Sequence, residues 1–340
     1  MKQIWIPKHG TPDVLEVKQA ADPMPKEGEV LVDVHFSGIN FADILARMGL
    51  YPDSPKKPYV VGYEISGEVE KVGEGVNRDW VGKQVASITR FGGYSSQVTI
   101  PVDQVFPIPE NISLEEAAAM PVTYLTAYIM MIEQARLRKG DTVLIHGIGG
   151  GVGISAFQLA KIIGADVIGT ASGWKHKSLR KMGMENLIDY NSEDFVERTL
   201  DWTGGKGVDL VLDPVGGEYV RRSYRCLRPL GKVIFYGFSS AAPGKRRNLI
   251  AGIKALLSVT RFHPIGLMNQ NKGVIGCNLG HLWKERDKLE SAIIQLVTWL
   301  SEGLITPVVD KVFSFEDASN AHRYIQDHRN IGKVLLSPKL

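Results

Sequence analysis

The pattern of apolar and polar positions changes character once along the chain, near Thr142. Before that point, short alternating or β-branched runs recur at 29–36, 60–72, 84–89 and 94–100, separated by Gly and Pro clusters at 22–28 and 49–58. A period of two with such punctuation predicts half-buried strands joined by turns. Helices are expected over 41–48, directly after Asn40, and over 114–131. The second begins on Ser113 with Glu116 three residues on, which is a capping box. From Thr142 the pattern alternates between apolar runs and helical stretches. Strands at 142–146, 166–170, 208–212 and 232–236 alternate with helices near 152–163, 175–182, 193–202 and 217–227. That alternation predicts an α/β fold with a parallel, doubly wound sheet, which 274–277 extends by a further strand. The stretch 239–273 is long and irregular, with a helix expected at 249–259. A helix at 288–303, a strand at 308–313, a helix at 315–327 and a strand at 332–337 close the chain. This tail is expected to return to the first, β-rich domain.

Composition narrows the class. A length of 340 residues suggests two domains, and 44% hydrophobic with 23% charged residues describes a globular protein with ample core. A net charge of +3 is too small for a dedicated nucleic-acid binder, so no specific nucleic-acid partner is expected. The two cysteines, Cys226 and Cys277, exclude a disulfide framework and a four-cysteine zinc site. They read as buried thiols in a reducing, cytoplasmic setting. The opening MKQIWIPKHG lacks the apolar core of a signal peptide, and no apolar run reaches the length of about 18 residues that a spanning helix needs. The cluster Lys245-Arg246-Arg247 stays open between a solvated loop, a cleft edge and peripheral association with an acidic membrane surface.

The chemistry concentrates at TVLIHGIGGGVGISAFQLAKII, residues 142–163. A buried strand runs into five glycines (147, 149, 150, 151 and 153) and then at once into an apolar helix. Missing Cβ atoms let a pyrophosphate approach the backbone, and the helix aims its N–H groups and positive dipole end at that anion. The second strand of such a unit chooses the dinucleotide: an acid at its end accepts the ribose 2′-OH and repels a 2′-phosphate. Here the stretch 169–177 reads GTASGWKHK, with no acid, one hydroxyl at Ser172 and positive charge at Lys175 and Lys177. NADP(H) is therefore expected over NAD(H), with solvent-facing lysines as the alternative.

Several separate stretches resemble one family. They are SGINFADILARMGLY (37–51), GYEISGEVEKVG (62–73), RFGGYSSQVTIP (90–101), LTAY (125–128), GGVG (150–153), GTAS (169–172), DPVGG (213–217), GKVIFYGFSS (231–240) and NIGKVLL (330–336). Over essentially its whole length the chain resembles the medium-chain dehydrogenase/reductase superfamily. Within that superfamily it is similar to the zinc-free quinone oxidoreductase (zeta-crystallin) branch, and there to homologues of the synaptic-vesicle membrane protein of vesicle amine transport. The resemblance implies a GroES-like β-rich catalytic domain (1–121 and 284–340) split by a Rossmann NADP(H)-binding domain (122–283). It also implies a homodimer. Zinc-containing members carry Cys where this chain has Asn40, and Gly-His-Glu where it has Gly62-Tyr63-Glu64. A catalytic zinc needs about three Cys, His or acidic ligands. No metal is therefore expected, and acceptors that need no Lewis acid, quinones and α,β-unsaturated carbonyls, become the natural small-molecule substrates.

The resemblance also implies site residues. Asn40 would lie against the nicotinamide or the substrate carbonyl, although Asn is equally a favoured helix cap. Tyr51 would line the substrate cleft and donate to the developing oxyanion, unless it is only a packed aromatic. Tyr63 would fill the vacated zinc space, and Glu64 reads as structural. Gly150, Gly151, Val152 and Gly153 would hold the pyrophosphate, while Ser172, Lys175 and Tyr190 would contact the adenosine phosphate. Thr126, Phe238, Cys277 and Leu279 would border the nicotinamide and its ribose, with Asn278 between the last two. Asn330 and Lys333 would reach back to the cofactor. Core packing for Thr126, a strand-end aromatic for Tyr190 and a surface lysine for Lys333 are the plainer alternatives. An enone reductase with little quinone activity, or an NADPH-binding protein recruited to membranes or nucleic acid without catalysis, are the competing functions.

Overall fold

A computed structural model describes residues 1–241 and 261–340. The expected helix 249–259 and the basic cluster Lys245-Arg246-Arg247 lie outside the described residues. The chain divides into two compact units, one gathering Met1–Val122 with Ile293–Leu340, the other running from Thr123 through the residues up to Ala292.

The first unit is built from strands that the alternating pattern marks. β1 (Lys2–Ile6) pairs antiparallel with β2 (Glu16–Gln19) and later with β4 (Tyr59–Val60). The main sheet contains β3 (Glu29–Gly38), β5 (Glu64–Val72), β6 (Gln84–Ile88), β7 (Gln97–Pro101) and β8 (Val105–Pro107). Near the C-terminus, β15 (Val309–Ser314) and β16 (Lys333–Ser337) join the same sheet, with β16 antiparallel to β3. The returning tail thus completes the first unit. Val30, Val32, Val34, Ile65, Val69 and Val85 face inward with no exposed surface. Each such side chain contributes about 1.5–3 kcal/mol through burial.

α1 (Phe41–Met48) falls where the sequence puts it. Two expectations are corrected. The run 60–72 is not one strand, because Gly62 adopts φ +104° and bends the chain between β4 and β5. The helix 114–131 is not one helix either. The Ser113/Glu116 capping box opens α2 (Leu114–Ala119), and Pro121 then starts α3 (Pro121–Tyr128) at the position where a missing N–H costs nothing. A π-helical turn at Ile129–Gln134 follows.

The second unit holds a parallel sheet of β9 (Thr142–His146), β10 (Asp166–Ala171), β11 (Asn186–Asp189), β12 (Val208–Asp213), β13 (Leu227–Phe235) and β14 (Gly273–Gly276). Their order is β11-β10-β9-β12-β13-β14, the doubly wound arrangement. α4 (Gly151–Ile163), α5 (Gly173–Lys181), α6 (Phe195–Trp202) and α7 (Glu218–Arg225) cross between strands. β11 is short, and only Leu187 and Ile188 of its four residues are buried, which is why the pattern does not mark it. A helix at Pro264–Gln270 lies within the stretch read as irregular. In such a sheet, ligand-binding loops leave the carboxyl ends of the strands. Here those ends are His146, Ala171, Asp189, Asp213, Phe235 and Gly276.

Candidate active site

The turn after β9 is shaped by what its glycines exclude. Gly147 takes φ +63°, and a Cβ on Gly153 would lie 2.5 Å from the Gly147 carbonyl oxygen. No L side chain fits there, so Gly153 lets α4 start directly against the turn. Gly150 is the N-cap and no side chain caps the helix, so the first-turn N–H groups, including those of Gly151 and Val152, meet no capping side chain. A 13-residue helix with an uncapped, glycine-lined start fits a pyrophosphate.

Beside it, the end of β10 gathers the expected adenosine-end residues. Ser172 Oγ lies 2.6 Å from the Tyr190 hydroxyl, although 18 residues separate them. The Lys175 stem passes under the glycine turn, 3.2 Å from where a Gly149 Cβ would be, and its ammonium sits 5.2 Å from the Trp174 ring centre. Asp189, at the end of β11, is a nearby acid that the stretch 169–177 does not show. The N–H groups of Asn191 and Gly173 hold its carboxyl below the usual range, with an Asn191 amide hydrogen bond adding to the effect. It therefore serves as a backbone acceptor for the start of α5. Proximity to Gly173 also explains that glycine, because a Cβ there would meet Asp189 Oδ2 at 2.4 Å.

The far end of the same sheet carries Phe238, whose ring packs where a Gly216 Cβ would stand, 2.4 Å from Phe238 Cδ2. Asp213 closes β12 and accepts the Val215 and Gly216 N–H groups on Oδ1 at 2.8 and 3.0 Å. Cys277 donates its N–H to Phe235 O, and burial pushes its thiol up to about 11, so it is not a thiolate nucleophile at neutral pH. Leu279 opens a short turn that Asn278 caps through the Gly280 N–H. Thr126 is 7% exposed on α3.

In the first unit the structure brings Asn40 and Lys333 together around Glu64. Lys333 Nζ donates to Asn40 Oδ1 at 2.7 Å and forms an ion pair with Glu64 Oε1. Asn40 Nδ2 donates to the same Oε1 at 2.8 Å, and Glu64 Oε2 accepts the Val122 N–H at 2.8 Å. Glu64 has no exposed surface and Lys333 only 4%. Gly38 permits this arrangement, because a Cβ there would stand 2.5 Å from Glu64 Oε1. Asn40 is also the N-cap residue of α1, its N–H held by Asp43 Oδ2 at 2.8 Å. Its backbone thus caps the helix while its side chain is held by Glu64 and Lys333. Asn330 donates to Gly332 O, ahead of Lys333.

Asp43 is a buried neighbour of Asn40 that motif reading passes over, although its spacing from Asn40 is that of a capping box. It has no exposed surface, and its Oδ1 accepts the Gly62 N–H at 2.9 Å. Burial pushes its carboxyl up to about 7 against the pull of the Asn40 and Gly62 N–H groups. Next to Gly62, the Tyr63 ring packs edge-on to Tyr51 at 6.0 Å and against Phe91 at 5.3 Å. Its hydroxyl is buried and has no hydrogen-bond partner among the described residues. Burial pushes it far above the ordinary range, so it stays protonated. No three His, Cys, Asp or Glu side chains among the described residues are placed to share a metal ion.

A GroES-like sheet unit and a doubly wound unit in one chain define a dehydrogenase/reductase class. The family model for the alcohol dehydrogenase GroES-like domain matches residues 26–110, and the zinc-binding dehydrogenase model matches 182–336. The chain belongs to the medium-chain dehydrogenase/reductase superfamily, in its quinone oxidoreductase branch. It is 38% identical to the synaptic vesicle membrane protein VAT-1 homolog of Mus musculus over 95% of this chain and 80% of that one. The structure of Escherichia coli quinone oxidoreductase complexed with NADPH superposes with TM-score 0.87 at 34% identity, covering 99% of this chain and 100% of that one. The CurK enoyl reductase superposes with TM-score 0.86 at 28% identity, covering 99% and 98%.

Proposed function

We propose that the chain is an NADPH-dependent reductase that delivers hydride to a quinone or an α,β-unsaturated carbonyl without a metal. The observation that supports the cofactor choice is the end of β10, where Ser172 meets Tyr190 and the Lys175 stem runs beside the glycine turn. The nearby acid, Asp189, is already occupied by backbone N–H groups. Two hydroxyls and an ammonium suit a 2′-phosphate better than a 2′-OH. Gly150, Gly151, Val152 and Gly153 take the pyrophosphate. Thr126, Phe238, Cys277, Leu279 and Asn330 border the rest of the cofactor. On this reading 122–283 is the cofactor domain and 1–121 with 284–340 the acceptor domain.

When bound, NADPH supplies a hydride: one hydrogen nucleus with two electrons. As the acceptor gains that hydrogen, a π-electron pair moves onto its carbonyl oxygen, and a proton from water completes the reduction. Asn40 and Tyr51 donate hydrogen bonds to that oxygen. One Asn40 amide hydrogen is held by Glu64, while the other makes only a 3.4 Å contact to Gly38 O and is the one to donate. Lys333 on Oδ1 polarises the amide and strengthens that donor.

Similarity to an enoyl reductase favours a second reading, an alkenal or enone reductase with little quinone activity. The names of the vesicle-protein relatives favour a third, NADPH binding in association with a membrane. No helix among the described residues is long and apolar enough to cross a membrane. A homodimer is part of the proposal, with a second copy extending the sheet at β14. The test is NADPH oxidation against panels of quinones and conjugated enals. One acceptor class reduced well above background supports the reading; tight NADPH binding with neither class reduced overturns it.

A further inference from the structure

His146 is the last residue of β9, and only 1% of its surface is exposed. It plays no part in the chemistry above, yet both ring nitrogens are engaged. Nδ1 lies 3.2 Å from Thr170 Oγ1, its register partner on β10, and Nε2 lies 3.1 Å from Ser223 Oγ on α7. Ser223 in turn donates to Asp213 Oδ2 at 2.9 Å. The Gly147 N–H approaches Thr170 Oγ1 at 3.3 Å.

Donor and acceptor rules fix the direction of this chain. A carboxylate only accepts, so the Ser223 hydroxyl proton goes to Asp213 and its oxygen must accept from His146 Nε2–H. Nδ1 then carries the lone pair and accepts from the Thr170 hydroxyl, whose oxygen accepts the Gly147 N–H. Every buried member is satisfied in one orientation with a neutral imidazole. The other carboxylate oxygen of Asp213 holds the Val215 and Gly216 N–H groups. The chain thus ties together the glycine turn after β9, the end of β10 two residues before Ser172, and the loop after β12.

We infer that His146 is a positioning residue for the dinucleotide, holding in mutual register three loops that leave the carboxyl edge of the sheet. The inference rests on the reading that these loops bind NADPH. It goes beyond that reading by making affinity depend on a residue that does not touch the ligand. Protonation would break the arrangement. An Nδ1–H turned on Thr170 would face the hydroxyl proton that Nδ1 accepts in the neutral form, so the hydroxyl would have to rotate away, its proton would lose its buried acceptor and the hold on the turn would loosen.

The groups that bear on this titration come from each neighbouring element. Asp213 lies on β12, Tyr219 and Arg222 on α7, and Asp194 at the start of α6 pairs with Arg222. Phe195 packs edge-on at 4.6 Å. Burial pushes the imidazole below its ordinary value, and Arg222 acts the same way against the opposing pull of Asp213. Neutral His146 is therefore the working form at physiological pH.

The test is NADPH titration by fluorescence, in the full chain, from pH 6 to 8. His146→Leu is expected to raise the NADPH Kd about tenfold or more at pH 7.5, because two links of the chain are lost. His146→Gln can accept from Thr170 and donate to Ser223, so it should recover most of the affinity. It should also flatten whatever pH dependence the wild type shows beyond that of the ligand phosphate. Should His146→Leu fail to fold, Thr170→Val and Ser223→Ala each cut one link and are expected to weaken NADPH in the same direction. Wild-type affinity retained in folded His146→Leu, or in both single-link variants, would overturn the inference. If wild-type protein itself binds no NADPH, the cofactor reading fails instead.

Discussion

Replacing Lys333 by Met removes one charge from a closed site while keeping the length of the side chain. The β16 backbone places the lysine stem in a fully packed row, since all of Lys333–Ser337 are buried, and Met fills that volume. What is lost is the ammonium between Glu64 Oε1 and Asn40 Oδ1. Glu64, with no exposed surface, is then left with only the Asn40 amide and the Val122 N–H as donors. Breaking a buried pair from one side costs about 3–5 kcal/mol, because the remaining charge is neither solvated nor paired. For a unit of about 150–250 residues this lowers Tm by roughly 6–20 °C. Adding Glu64→Gln removes the stranded charge while leaving an acceptor for Asn40 or Val122. The double variant should therefore be more stable than Lys333→Met alone, by about 2 kcal/mol. The assay is urea unfolding of wild type, both single variants and the double, with circular dichroism and tryptophan fluorescence followed together to check for a single transition. A Lys333→Met variant within about 1 kcal/mol of wild type, or losses that simply add, would refute the reasoning.

Further outcomes follow from other features. Lys175→Met should weaken NADPH roughly 10–100-fold, the range for losing a charge-assisted contact, and leave NADH affinity unchanged; paired fluorescence titrations check both arms. Tyr63→Phe deletes a buried hydroxyl with no partner among the described residues, so Tm by calorimetry should hold or rise rather than fall. Acid should destabilise the fold. Burial keeps His146 and His322 below the ordinary histidine range, so the folded chain lacks two protons that the unfolded chain binds below about pH 6.5. Asp43, pushed up to about 7, holds one extra proton in the folded state and opposes them. With two histidines against one carboxyl, the unfolded chain binds more protons once the pH falls below the ordinary histidine value, so stability should fall with decreasing pH there, measurable by urea midpoints.

The fold was legible where the pattern is strongly periodic. β9, α1 and the glycine turn carry their own signals, and the strand-helix alternation after Thr142 requires a parallel sheet. Local events with non-local causes were not legible. Nothing before Gly62 announces that its N–H will be taken by Asp43 and its strand broken. β11 is too short to show a period, yet it supplies both Asp189 and the lead-in to Tyr190. Of the proposed site, Ser172 and Lys175 stand out in the sequence because they share a stretch with the second strand. The direct contact of Asn40 with Lys333 spans 293 residues and is shared with Glu64, so sequence spacing cannot reveal it. His146 looked like one more residue of an apolar strand. Its polar role appears only once β10, β12 and α7 are assembled around it.

The most direct measurement on the central proposal follows the hydride itself. Wild-type protein is incubated with NADPH deuterated on one or the other face of C4 and with the best acceptor of the enal panel, and the product is analysed by mass spectrometry and NMR. The expected result is deuterium on the product β-carbon from one face of the cofactor only, with one NADPH consumed per product. Product without deuterium from either label, or a β-carbon labelled equally from both, would contradict stereospecific hydride transfer from a bound NADPH.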